Sequence, residues 1–292
     1  MPLSPNALIL SRFAITPGRL EYKFLVPVEQ LNEMRKAMKP YVCLDSFCEK
    51  QPNHQYTVRS IYYDNRRFDC YYEKFDGFQF KKKLRIRGYN EEDRENTAFL
   101  EIKYKNGDFI GKHRAPVKWH QIKDVFASYI RTTPLPLLPP ESSPDDALLR
   151  FMFHYYRRKM LPVAIIVYER EAFYSRFDSR LRLTIDKNVR SRLYPALDSL
   201  YIDRGMKFVM PEQFVFEVKF YGALPRWVQW LLTRFDLQRL AVSKYALGIE
   251  AHRMPKKFLL GIGHADFEQD LNLTNLKTDL MTCPTLKKGK ER

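Results

Sequence analysis

The sequence has no run of about 18 apolar residues, so nothing in it reads as a membrane-spanning helix. It also lacks a Gly-x-x-x-x-Gly-Lys loop, so any nucleotide must be held by side chains rather than by a nest of backbone amides. Its 6 histidines are scattered without metal-ligand spacing, which leaves them structural or surface roles. The 4 cysteines (Cys43, Cys48, Cys70 and Cys283) have no zinc-ligand spacing, and a disulfide framework does not suit 292 residues. Cys70, beside Tyr71 and Tyr72, reads as packing rather than as a nucleophile. From Met1 to Ile15 a short apolar patch runs into Arg12 with no basic region before it, which is not the pattern of a signal peptide. A reducing cytoplasm is the expected compartment. Acid is short relative to base: 34 Asp and Glu face 50 Lys and Arg, a formal net charge of +16. Lys287, Lys288, Lys290 and Arg292 supply little of that excess. Most of it belongs to the folded body, and a polyanionic partner is expected.

What is present is ample for a core. At 45% hydrophobic and 14% aromatic, the chain is not globally disordered, and its length fits one large domain or two small ones. Residues 1–16 and the basic tail 265–292 read as flexible ends around a domain at 17–264. A helix is expected from Pro27 to about Lys39, with Pro27 at its first position and Leu31, Met34 and Met38 on one face. Others are expected over Trp119–Tyr129, from Asp145 to Lys159 behind an Asp cap, and from near Pro225 with Trp227, Trp230, Leu231 and Phe235 in packing roles. The Pro-rich connector at 133–144 could divide domains, but the strands on either side share one peculiar pattern.

In a strand, residues two apart share a face. Arg19, Glu21 and Lys23 stand opposite Leu20, Tyr22 and Phe24; Lys81, Lys83, Arg85 and Arg87 stand opposite Leu84 and Ile86. Glu101, Lys103 and Lys105 oppose Leu100, Ile102 and Tyr104, and Tyr168 aligns with Arg170. Arg180, Arg182, Thr184 and Asp186 oppose Leu181, Leu183 and Ile185, while Glu217 and Lys219 oppose Phe216, Val218 and Phe220. A Glu-x-Lys triplet recurs at 21–23, 101–103 and 217–219.

Each charged face alone is explained by the wet side of an antiparallel sheet. Together they are dominated by Arg and Lys, an arrangement that repels itself unless an anion lies among the cations. A sheet curled into a barrel, with charged faces lining the bore and apolar faces beneath helices, resolves the geometry. The implied ligand is compact and multiply anionic, such as a polyphosphate chain, gripped by Arg forks and Lys point charges. Glutamates in such a bore would suit a divalent metal shared with phosphate oxygens.

Taken in order, Arg19-x-Glu-x-Lys-Phe, Ser60-x-Tyr-x-Asp64, Lys83-x-Arg-x-Arg87, Glu101-x-Lys103, Tyr168-x-Arg-x-Ala-Phe173, Arg182-x-Thr-x-Asp186, Glu217-Val-Lys219 and Ser243-Lys-Tyr245 form a set. This set resembles the VTC domain, the polyphosphate polymerase module of the vacuolar transporter chaperone complex and its bacterial relatives, within the triphosphate tunnel metalloenzymes. The resemblance spans about residues 17 to 253. It implies an α+β domain, a closed antiparallel β tunnel barrel with helices packed outside. It further implies that Lys23, Arg85, Arg87, Lys103, Arg170, Arg182, Lys219 and Lys244 bind phosphate. Tyr168 and Ser243 would donate hydrogen bonds, and Lys74 and Lys83 would be extra ligands near the loop at Gly77. Glu217 becomes the leading metal ligand for Mn²⁺ or Mg²⁺, with Glu21 and Glu101 behind it.

The implied reaction is transfer of the γ-phosphoryl group of ATP to an inorganic polyphosphate chain. Arg85, Arg87, Lys103, Arg170, Arg182, Lys219 and Lys244 would serve catalysis by neutralising charge. CYTH-type triphosphatases of the same superfamily carry Glu-x-Glu-x-Lys where this chain has Arg19 in place of the first Glu, which favours holding a long anion over positioning a hydrolytic water. A metal-dependent triphosphatase and a non-catalytic polyphosphate or nucleotide receptor stay open as alternatives. A nucleic-acid partner is not expected, because inward-facing cations do not reach a duplex. The eukaryotic complex leaves a membrane-protein partner open.

Overall fold

The period-two alternation becomes ten strands in the computed structural model, which describes residues 19–74, 80–93, 95–106, 109–131 and 147–254. They are β1 (Leu20–Pro27), β2 (Val42–Leu44), β3 (Tyr56–Asp64), β4 (Phe80–Tyr89), β5 (Thr97–Asn106), β6 (Phe109–Lys118), β7 (Leu161–Ser175), β8 (Arg182–Leu193), β9 (Lys207–Phe208) and β10 (Gln213–Phe220). The helices are α1 (Leu31–Met38), α2 (Ser46–Glu49), α3 (Asp69–Tyr72), α4 (Ile122–Arg131), α5 (Ala147–Arg157), α6 (Arg226–Arg234) and α7 (Lys244–Glu250). The ends expected to be flexible, the Gly77 loop and the connector at 133–144 lie outside the described residues. None of the described helices is long and apolar enough to cross a membrane.

All ladders are antiparallel, in the order β1-β10-β8-β7-β3-β4-β5-β6, with β2 on β7 and β9 on β8. Strands from both sides of the connector therefore share one sheet through the β3–β7 pairing. The expected closed barrel is not what forms. β1 and β6 end the path without pairing to each other. The sheet nonetheless curls until β1 faces β5, where Glu21 meets Lys103 at 3.1 Å. Charged side chains span that seam, and no backbone ladder joins the two strands.

The face turned away from the bore is apolar and deeply buried. Leu84, Ile86, Leu100 and Ile102 join one cluster, which also holds Phe126 of α4 and Phe151 of α5. Leu183, Ile185, Phe216 and Val218 join a second with Met34 and Met38 of α1 and Val228 and Leu231 of α6. The first helix begins later than expected: Pro27 ends β1 opposite Gln213, a 3₁₀ turn follows over Val28–Gln30, and α1 starts at Leu31. Arg180 falls in the turn before β8 and pairs with Asp178, because the strand begins only at Arg182. Trp227 stacks on Tyr41 with ring centroids 4.8 Å apart. Trp230 does not pack as expected; it is 46% exposed with Arg234 over its ring. Cys70 is fully buried, its thiol bonded to the Lys82 carbonyl and its pKa pushed up chiefly by burial.

One helix departs from the expectation that all pack outside. Ile166 and Ser191 pair in register with each other, and Ile166 pairs with Ser60, itself opposite the cavity-lining Arg87. Paired residues share a face, so Ile166 and Ser191 look toward the bore. Gly248 of α7 lies directly on them, placing α7 on the concave side. A Cβ at Gly248 would stand 2.3 Å from Ile166 Cδ1. Gly248→Ala should therefore destabilise the protein by about 1–3 kcal/mol through overpacking, measured by chemical denaturation; an unchanged midpoint would contradict this seat for α7.

Candidate functional site

The curled sheet encloses a cavity of about 400 Å³. Its lining follows from register. On β4 and β5, Lys81 faces Lys105, Lys83 faces Lys103, and Arg85 faces Glu101. On β5 and β6, Lys103 faces Lys112 and Glu101 faces Arg114. On β1 and β10 the two Glu-x-Lys triplets run antiparallel, so Lys23 faces Glu217 and Glu21 faces Lys219. A repeated triplet in antiparallel pairing sets each acid against a base. That is the physical use of the repeat, since opposite charges across a ladder attract and like charges repel.

Carboxylates are spaced among the cations accordingly. Glu217 accepts from Lys244 at 2.7 Å and Lys219 at 3.0 Å, with Arg170 at 3.6 Å and Lys23 at 3.9 Å. Asp186 accepts from both Arg170 nitrogens at 2.6 and 2.7 Å and lies 2.5 Å from Lys244. Glu21 holds Lys103 at 3.1 Å and Lys219 at 3.3 Å. Glu101 is wholly buried between Arg85 at 2.7 Å and Arg114 at 2.6 Å. Burial alone would raise all four carboxyls, but the surrounding cations outweigh it and hold each below the usual range.

Several cations carry the opposite strain. Burial pushes the Lys83 ammonium down, and its Nζ donates to Ser243 Oγ at 3.3 Å. Lys103 is pushed down to about 8 by burial first, then by Lys23, Lys219 and Arg85, with Glu21 opposing. Its side chain keeps 32% exposure, but it lines the cavity, so neighbouring charges act on it strongly. The Tyr62 hydroxyl accepts from Arg85 at 3.0 Å, and the Arg85 and Arg87 charges bring its phenol down to about 8 against the effect of burial. Arg87 donates to Ser60 Oγ at 3.2 Å.

Lys23, Lys74, Lys83, Arg85, Arg87, Lys103, Tyr168, Arg170, Lys219, Ser243 and Lys244 all line this one cavity, together with Glu21 and Glu217. Arg182 does not reach it: the guanidinium binds Asp45 at 3.0 Å and lies over the Tyr174 ring. Glu101 is not in the lining either and acts through the arginines it holds. The sequence reading missed Tyr62, Arg239 and the β6 cations. Lys112-x-Arg114 carries the two-residue spacing that would have revealed β6, and Arg114 also donates to the Tyr89 hydroxyl at 2.9 Å. Arg239 lies on a loop, 4.1 Å over the Tyr22 ring, where no periodicity announces it.

Twelve lining cations against two lining carboxylates make this cavity strongly positive. For a divalent metal the donors fit in a limited way. Among the described residues no group of three or more His, Cys, Asp and Glu could hold a metal ion unaided. Glu217 and Glu21 nevertheless offer carboxylate oxygens to the cavity. Thr184 lies directly opposite Glu217, and its buried hydroxyl has no hydrogen-bond partner among the described residues. One or two carboxylates completed by phosphate oxygens and water is a donor set that Mg²⁺ and Mn²⁺ accept. Glu101 does not fit, because it lies outside the cavity lining with both oxygens taken by guanidinium groups, whereas Glu217 and Glu21 are in the lining and a metal there would displace the lysines that hold their oxygens.

Comparison with known proteins gives a match to the model of the VTC domain over residues 18–253. No curated protein matches the chain. Among solved structures, the chain is similar to the PH1819 protein of Pyrococcus horikoshii OT3 at 13% identity and a TM-score of 0.40, covering 80% of this chain and 98% of that one. It is also similar to a candidate adenylate cyclase from Vibrio parahaemolyticus at 11% identity and a TM-score of 0.39, covering 79% and 98%.

The depressed Lys103 ammonium gives a signed test. In the empty protein Lys103 loses its proton as pH rises through about 8, whereas a bound polyanion favours the charged form. Tripolyphosphate binding at pH 9 should therefore take up more protons in the wild type than in Lys103→Arg, whose guanidinium stays charged. Calorimetry in two buffers of different ionisation enthalpy reads the difference, and the ligand's own titration is common to both proteins. Equal proton counts would show that Lys103 keeps its charge in the empty cavity.

Proposed function

Because the chain belongs to the VTC domain family, we propose that it is a polyphosphate polymerase using ATP as phosphoryl donor and an inorganic polyphosphate chain as acceptor. The observation that carries this reading is the convergence of cations from β1, β4, β5, β7, β10 and α7 on a single cavity. A terminal phosphate oxygen of the chain attacks the γ-phosphorus, the bond to the β-phosphate bridging oxygen breaks, and ADP leaves with that electron pair. The acceptor is already an anion, so no protein nucleophile or base is needed; alignment and charge neutralisation are the protein's task.

Each residue then has a defined part. Arg85, Arg87 and Arg170 present planar forks that fix phosphate oxygens in position. Lys23, Lys83, Lys103, Lys219 and Lys244 supply rotatable point charges, with Lys74 at the margin of the cavity. Tyr168, whose ring Lys244 and Arg170 both approach, and Ser243 offer hydroxyls. Glu101 orients Arg85 and Arg114 from behind. Arg182 is left to its Asp45 partner. A divalent cation, Mn²⁺ or Mg²⁺, fits at Glu217 with Glu21 beside it, and when bound it supplies positive charge to the donor's phosphate oxygens. Hydrolysis in the same cavity would need a carboxylate able to orient water. With Arg19 in place of the first Glu of the Glu-x-Glu-x-Lys pattern, one fewer carboxylate is available for that task, which supports transfer over hydrolysis.

Purified protein given γ-labelled ATP and Mn²⁺ should make an acid-insoluble ladder on a gel. Released phosphate without polymer would identify a triphosphatase, and neither product would leave a receptor. Binding can be tested separately. Arg87→Ala should weaken tripolyphosphate affinity by about tenfold or more, the scale of a lost charge-assisted hydrogen bond. Lys82→Ala, on the opposite strand face beside His154, should change it less than twofold, or roughly 0.4 kcal/mol. Equal effects in the calorimeter would remove Arg87 from the site.

A further inference from the structure

Lys244 reaches the cavity from the first turn of a helix, whereas the other cations on the strands are set by ladder register. Its position depends on what fixes α7. Besides the ion pairs of Lys244 itself, a short polar tie to β3 is the Tyr245 hydroxyl, which donates to Asp64 at 2.6 Å. Asp64 is fully buried at the end of β3, and its other acceptor sites take the backbone N–H groups of Asn65 at 2.8 Å, Cys70 at 2.9 Å and Tyr71 at 3.0 Å. It is the one buried carboxylate among the described residues with no Lys or Arg in a salt bridge, so it is held by hydrogen-bond donors alone. It neither lines the cavity nor binds a cation there.

The same carboxylate governs a second approach to the site. By holding the amides of Cys70 and Tyr71 it sets the α3 turn, which leads into Lys74. The Tyr71 hydroxyl returns to Glu250 at the far end of α7 at 3.3 Å. The Tyr245 ring in turn stacks on Tyr62 at 5.3 Å and lies 5.2 Å from Lys83 Nζ.

We infer that Asp64 and Tyr245 are positioning residues for anion binding: the Asp64–Tyr245 hydrogen bond fixes α7 on the concave face so that Lys244 points into the cavity. This rests on the polyanion reading of the cavity, though not on turnover.

The test is a double-mutant cycle on tripolyphosphate affinity, read by calorimetry without turnover. Tyr245→Phe keeps the ring and removes only the hydroxyl. It should weaken affinity by about tenfold in the wild-type background and by less than about twofold in Lys244→Ala, because coupled residues are not additive. Ile249→Val, a buried change on the same helix, serves as a stability control; it should lower the melting temperature comparably and leave affinity unchanged. The inference is overturned if Tyr245→Phe and Ile249→Val weaken binding alike, or if the Tyr245→Phe effect is as large without Lys244. A wild-type protein that fails to bind tripolyphosphate would overturn the polyanion reading itself, and this inference with it. Bound wild type with no coupling to Lys244 would overturn the inference alone.

Discussion

Like charges enclosed in a space poor in water are the constraint on which the rest of this structure depends. Two unit charges 4 Å apart interact by about 4 kcal/mol at an effective dielectric constant near 20, and this cavity gathers many such pairs. Three devices keep it folded when empty. Glu21, Glu101, Asp186 and Glu217 are threaded between the cations. Burial and repulsion shift Lys83 and Lys103 toward proton loss. Finally, the outer face of the sheet is almost wholly aliphatic and aromatic, and its burial under α1, α5 and α6 opposes the internal repulsion.

The open seam belongs to the same account. A closed ladder between β1 and the β5–β6 end would bring strand backbones together where Glu21, Lys103 and Lys219 already converge. Leaving the edges unpaired gives those long side chains room to meet as ion pairs. The cavity wall is therefore continuous in charge although discontinuous in backbone hydrogen bonding. A phosphate chain can replace carboxylate oxygens as the partner of a lysine without breaking any ladder, because the contacts being exchanged are all between side chains.

Strand parity made most of this legible in the sequence. Lys83, Arg85 and Arg87, the three Glu-x-Lys triplets and the Tyr168–Arg170 pair were placed on one face by spacing alone, and the structure brings their cations to one cavity. Parity fails where a neighbour from a distant segment intervenes. Arg182 has the right parity, but Asp45, the cap of α2, claims its guanidinium. Arg180 has the right spacing, but the chain is still turning there. Closure was not legible either, because it depends on whether the first and last strands pair. The seven residues of α7 carry no long apolar period, and it is the Gly248 contact with Ile166, together with Lys244 in the cavity lining, that shows this helix lies on the concave side.

The acids finally bear on what the cavity can do. Carboxylates relieve the repulsion of the empty cavity but also repel an anionic ligand, and buried salt bridges contribute little net stability against an apolar alternative. Their arrangement is more informative than their number. Glu101 is sealed behind arginines, whereas Glu217 stays in the lining, directly opposite the unpartnered hydroxyl of Thr184. The first fixes guanidinium orientation. In the proposed function the second would offer a hard cation an anionic oxygen in the cavity, in place of the lysines that hold it. Under the proposed function, the two carboxylates would thus divide the labour of orienting the arginine forks and offering a place for a cation.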